Sequence, residues 1–109
     1  MIDSYSFGRY IIDGKEYTYD IKIIEGRVST WRNHDMKVED ILDLVEAQPE
    51  IIVIGTGASG VLKVKQEIAD LIKSKGIELI IAKTGRACSE FNRLEKEGRK
   101  VCAILHGTC

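Results

Sequence analysis

Three short apolar runs constrain the fold more than any other feature of the chain: Ile51-Ile52-Val53-Ile54, Leu79-Ile80-Ile81-Ala82 and Val101-Cys102-Ala103-Ile104-Leu105. None of them alternates apolar with polar residues, so each reads as a strand covered on both faces. Helical stripes separate them. Val64, Ile68, Leu71 and Ile72 lie on one side of a helix whose C′ position suits Gly76, and Ala87, Phe91 and Leu94 mark another that ends at Gly98. A β-α-β-α-β run requires parallel strands joined by right-handed crossovers.

The first third of the chain follows a different period. Tyr17, Tyr19, Ile21 and Ile23 alternate with Thr18, Asp20 and Lys22, which predicts one strand with a buried and a wet face. Ahead of it, Arg9-Tyr10-Ile11-Ile12 and Lys15-Glu16-Tyr17 flank Asp13-Gly14, a two-residue loop suited to a type I′ hairpin. Glu25-Gly26-Arg27 turns the chain into a further strand, Val28-Ser29-Thr30-Trp31. Val38, Ile41, Leu42 and Val45 are spaced as a helical stripe, and that helix must end before Pro49. The expected class is α/β. An N-terminal antiparallel β-hairpin or meander attaches to a small parallel β-α-β-α-β sheet, in one domain over residues 1–109, a length that supports one core.

Charge and cysteine content narrow the function. Sixteen basic and 17 acidic residues nearly cancel, which argues against nucleic acid as a partner, since phosphate contacts need a basic excess. The balance is uneven along the chain: residues 1–50 carry a net −5 and residues 51–109 a net +4, so an anionic ligand belongs on the second half. No apolar run is long enough to cross a membrane, and residues 1–9 lack a secretory h-region, so the expected location is cytoplasmic. Cys88, Cys102 and Cys109 form no C-x-x-C pair, which argues against a zinc ribbon or a thioredoxin motif; they read as small hydrophobes. No metal site is expected. His34, one of two histidines, lacks partners at ligand spacing, and Glu95 and Glu97 point in different directions on a helix. Cys88 falls near the start of the third helix, where the dipole can lower a thiol pKa, but packing is the simpler role. Asn92 and Tyr17 read as buried hydrogen-bonding groups.

Gly55-Thr56-Gly57-Ala58-Ser59-Gly60 sits between a strand and a helix and matches G-x-G-x-x-G. The acidic residue a dinucleotide needs at the end of the second strand is absent, where Ala82-Lys83-Thr84 stands instead. Read as a P-loop, the motif fails at Val61-Leu62, where lysine and a hydroxyl are required. No NAD, FAD or ATP cofactor is expected. What remains is either a tight glycine connection or a loop for a small anion.

Several motifs in order resemble those of the Mth-domain family. They are Tyr5-Ser6-Phe7-Gly8, Ile12-Asp13-Gly14 with Tyr17 and Asp20, Pro49-Glu50, the 55–60 loop, Thr84-Gly85-Arg86-Ala87, Phe91-Asn92-Arg93-Leu94, Gly98-Arg99 and Leu105-His106-Gly107-Thr108-Cys109. That family holds small archaeal and bacterial proteins, with relatives in an adipogenesis-associated protein and a mitochondrial complex I assembly factor. The resemblance implies a three-layer α/β fold and no catalytic residues. The Trp31-Arg32-Asn33-His34 stretch is shorter than the family's tryptophan–arginine segment. No Arg-rich presequence is visible, so the assembly role is not carried over.

In open α/β sheets ligands lie beyond the carboxyl ends of the strands. There the sequence places Thr56, Gly57, Ser59 and Gly60 on one loop, Thr84 and Arg86 with Lys83 on a second, and His106 and Thr108 on a third. These form the candidate rim for a small anionic ligand. The competing reading has Thr56, Ser59 and Thr84 capping helices, Arg86 paired with an acid and His106 packed passively. At the level of function, a weak anion- or small-ligand-binding domain competes with an interaction module acting on a protein partner. The module should expose apolar patches such as Trp31 with Met36.

Overall fold

The first and third apolar runs become strands buried on both faces, serving two cores at once. The second, expected to be covered as well, lies at the sheet edge with none of its residues fully buried and Ile81 48% exposed. The computed structural model describes residues 1–32 and 35–109. In chain order the strands are β1 (Ile2–Ser6), β2 (Arg9–Ile12), β3 (Lys15–Thr18), β4 (Asp20–Ile24), β5 (Arg27–Trp31), β6 (Ile51–Thr56), β7 (Glu78–Ala82) and β8 (Val101–His106). The helices are α1 (Val38–Glu46), α2 (Gln66–Ser74) and α3 (Thr84–Lys96). A five-stranded sheet has the order β5-β4-β8-β6-β7, parallel from β8 to β7 and antiparallel where β4 meets β8. Ile52, Ile54, Cys102 and Ile104 face α1 and α2; Ile51, Val53, Val101, Ala103 and Leu105 face α3 and the N-terminal sheet. Neither face can be polar, which is why the runs show no alternation. Each buried isoleucine contributes roughly 1.5–3 kcal/mol of transfer free energy.

The connections set the site. β6 reaches β7 through α2 on one face, whereas β7 returns through α3 on the other face and steps over β6 to β8. The winding direction therefore reverses between β6 and β8, and their carboxyl ends flank a switch point.

The N-terminal part departs from expectation. The residues read as one strand over 17–23 are two strands in two sheets, because Tyr19 takes φ 69° and turns the chain from β3 into β4. β1, β2 and β3 form a separate antiparallel sheet, tied to α3 where the Asn92 carboxamide accepts from Ile2 N at 2.9 Å and donates to Ile2 O at 2.7 Å. Asp20, expected on a wet face, is buried as a result of that corner. In α1 the inward face is built on Ile41 and Leu44, while Leu42 points to solvent. α2 begins at Gln66, so the glycine loop does not open it and Val64 precedes it: Leu62 must first dive into the α1/α2 core.

The Asp-Gly hairpin is as expected, with φ 50° at Asp13, φ 82° at Gly14 and Ile12 paired to Lys15. An added Cβ at Gly14 would meet nothing within 4 Å, so Gly14→Val costs only backbone strain. A loss of roughly 1–3 kcal/mol is expected, read as a lowered thermal midpoint; a variant melting like the parent would remove the turn assignment.

Candidate site at the carboxyl ends of β6 and β8

The seam between these strand ends is closed by Thr84, the first residue of α3. Fully buried, its Oγ1 accepts from Gly57 N at 2.8 Å and donates to the His106 carbonyl at 2.6 Å. The hydroxyl thus ties β6, β8 and the start of α3 at one atom, not as a helix cap: neither α2 nor α3 has a side-chain cap bond. Thr56 Oγ1 donates to the Ala82 carbonyl at 3.2 Å, joining β6 to β7.

Residues 107–109 lie across the glycine loop. Ala58 N donates to Thr108 O at 2.7 Å and Val61 N to Cys109 O at 3.0 Å. Gly60 N donates to Gly57 O and Leu62 N to Thr56 O. Gly57, at φ +107°, packs directly on the backbone of Thr108 and Cys109, where no side chain would fit. The amides of Gly57, Ala58, Gly60, Val61 and Leu62 are engaged within the protein, so any anion here would be held mainly by side chains.

Asp20 and His106 form the polar core of the site. Their side chains are almost fully enclosed, and the residues are 8% and 5% exposed. Asp20 Oδ1 accepts from Gly107 N at 2.8 Å and lies 2.9 Å from His106 Nδ1. A carboxylate only accepts, so the proton of the neutral ring belongs on Nδ1 and Nε2 is the acceptor. Nε2 lies 3.5 Å from Thr108 Oγ1. His106 and Thr108 line a hollow of about 360 Å³ together with Asp35, Val61, Leu62, Lys63, Lys65 and Cys109. Lys65 Nζ pairs with Asp35 at 3.1 Å. The hollow lies within the size range of ligand sites and has an apolar wall and a charged lip made of Lys63 and the Lys65–Asp35 ion pair.

The rim residues expected from sequence therefore fall into three groups. Thr56, Gly57 and Thr84 form the buried seam, and His106 and Thr108 face the hollow. Ser59 is exposed, Gly60 faces the Lys83 stem, and Arg86 is exposed on α3 near Glu90, whose carboxyl is held below its usual pKa first by the hydrogen bond from Arg93 and last by the Arg86 charge. Sequence reasoning missed Asp20, Lys63 and Lys65. Trp31 and Met36 do not form an exposed patch: both are buried, and Trp31 Nε1 donates to Leu105 O at 3.3 Å. Phe7, Tyr19 and Val61 are the large apolar side chains exposed around residues 107–109. They are fixed there by Gly8 N to Gly107 O, Tyr19 N to Gly8 O and Val61 N to Cys109 O. Arg32 lies over the Tyr19 ring at 5.6 Å.

Burial pushes the Cys88 thiol up to about 12, so α3 gives it no thiolate character. Cys88, Cys102 and Cys109 are all free thiols. Among the described residues no group of three or more potential ligands could hold a metal, and no helix is long and apolar enough to cross a membrane. His34 lies outside the described residues.

Fold and site define a three-layer α/β domain with a mixed five-stranded sheet whose switch point is packed by its own residues 107–109. The chain belongs to the family described as "Protein of unknown function (DUF498/DUF598)", whose model matches residues 2–106. It is similar to zebrafish NADH dehydrogenase [ubiquinone] 1 alpha subcomplex assembly factor 3, 30% identical over 96% of this chain and 63% of that protein. The chain spans about 60% of the length of such assembly-factor relatives. A 13 kDa major membrane protein of Francisella tularensis is 32% identical over 93% of this chain and 85% of its own length. The solved structure of MT938 superposes with a TM-score of 0.83 at 29% identity, covering 100% of this chain and 98% of that one. The Mth-domain resemblance read from the motifs is thereby borne out.

Proposed function

We propose that this chain is a binding domain whose working face is the carboxyl end of β6 and β8, and that it takes a ligand joining an oxyanion to an apolar group. The rim comprises Thr56, Gly57, Ser59, Gly60, Thr84, Arg86, His106 and Thr108, with Lys63 and Lys65 added at the hollow. The observation that carries this reading is His106, held by Asp20, on the wall of an apolar-walled hollow that is also lined by Lys63 and by Lys65 paired with Asp35. Charge-assisted contacts contribute about 1.5–3 kcal/mol each, so two of them hold bare phosphate only at millimolar to high-micromolar strength. Amide NMR during titration with phosphate or acetate should shift residues 61–65 and 106–109 together and saturably. Lys63→Ala with Lys65→Ala should remove the response, and Arg86→Ala should weaken it if the anion spans the whole rim. Shifts scattered over the surface would overturn the reading.

A second reading, a module for a protein partner, draws on the exposed Phe7, Tyr19 and Val61 around the same residues and on the assembly-factor relatives. Here the oxyanion is an acidic side chain of the partner. A photocrosslinker at Val61 should then capture one discrete protein, while the same group at exposed Leu42 captures none.

A further inference from the structure

The five-stranded sheet ends in two unlike edges. β5 carries Arg27, Ser29 and Thr30 exposed to solvent, polar residues that discourage pairing. β7 carries Leu79, Ile80 and Ile81, with Ile81 48% exposed, and its only strand neighbour among the described residues is β6.

The direction of its backbone groups follows from one bond. Glu78 N donates to Glu50 O at 3.0 Å, at the start of β6, so the backbone of Glu78 faces β6. Alternation along the strand turns Ile80 and Ala82 the same way and turns the N–H and C=O groups of Leu79 and Ile81 outward. The side chains divide too: Ile80 and Ala82 pack on the α3 side and Leu79 on the α1/α2 side.

We propose that β7 pairs antiparallel with β7 of a second copy of this chain, about a two-fold axis through Ile80. In that register Leu79 lies opposite Ile81 of the second copy as a hydrogen-bonded pair, twice over, while Ile80 meets its own copy in the closer, non-bonded pair. Every outward-facing backbone group of Leu79 and Ile81 is then satisfied. The Leu79–Ile81 contacts cover the exposed Ile81, on one face of a continuous ten-stranded sheet. Charge selects the direction: Glu78 begins the strand and Lys83 follows its end. Antiparallel pairing places the two acids at opposite ends of the seam, whereas parallel pairing would align like charges. The self-complementary register is what commits this edge to a second copy over a foreign strand, and the inference does not depend on the ligand reading.

Sedimentation or light scattering across a concentration series should show a monomer–dimer equilibrium. Ile81→Lys, which sets a charge against Leu79 of the second copy, should leave monomer alone, while Leu42→Lys, on exposed α1 surface, should leave the equilibrium unchanged. In the unmodified protein the amide exchange of Leu79 and Ile81 should slow as concentration rises. On a Cys109→Ser background, Ile80→Cys should oxidise to a covalent dimer. A protein that stays monomeric at high concentration, a dimer that survives Ile81→Lys, or a parent dimer in which Leu79 and Ile81 still exchange freely, would overturn the proposal.

Discussion

Gly107→Ala is expected to cost about 3 kcal/mol or more and to leave little folded protein at ambient temperature. An added Cβ would run into the carbonyl of Tyr19 and crowd the Tyr10 hydroxyl. The first obstacle is backbone, so no rotamer change relieves it. The position also anchors three elements, because Gly107 N donates to Asp20 while Gly107 O accepts from Gly8 N at 2.7 Å and from the Tyr5 hydroxyl at 2.8 Å. Moving the residue would disturb all of these bonds. Gly98→Ala supplies the contrast: φ is +82°, but nothing lies within 4 Å of the new atom, so only about 1 kcal/mol of conformational strain is expected. Urea denaturation of the two variants measures the difference. Equal losses would mean that the close approach of β8 to the Tyr19 corner does not govern stability.

That corner is also where sequence reading failed, and the reason is local. The switch from β3 to β4 occurs at Tyr19, a β-forming residue with no glycine, asparagine or proline to mark it. The period-two pattern of Tyr17, Tyr19, Ile21 and Ile23 continues through the break, so two strands look like one and Asp20 looks solvated. By contrast, the β6, β7 and β8 runs were legible because a strand apolar on both faces has few other homes. The site was half legible. Strand ends and switch-point topology located Thr84, His106 and Thr108, since the rule depends only on connection order. The glycine motif misled about α2, because its glycines serve close packing of the loop on Cys109, Thr108 and Lys83, not the start of a helix. Lys63 and Lys65 had no pattern to mark them. They reach the hollow only because Leu62 is drawn into the core and carries its neighbours around.

Asp20→Ala is expected to destabilise by about 2–5 kcal/mol, and Asp20→Asn by about 1 kcal/mol. The alanine removes the acceptor for both Gly107 N and His106 Nδ1 and leaves two donors with little access to water. An asparagine oxygen in the place of Oδ1 can still accept from both, losing only the charge that strengthens each bond. The same comparison reports on the hollow. With the carboxylate in place the His106 proton is held on Nδ1 and Nε2 faces Thr108; without it the ring can rotate and change tautomer. Nitrogen NMR of the imidazole should therefore find the Nδ1–H form in the parent and in Asp20→Asn, and a tautomer mixture in Asp20→Ala. If Asn proves as costly as Ala, the negative charge itself holds β8 to β4. If neither variant alters stability or tautomer, then Asp20 does not orient His106, and the hollow's polar wall must be set by Thr108 and the Thr84 seam alone.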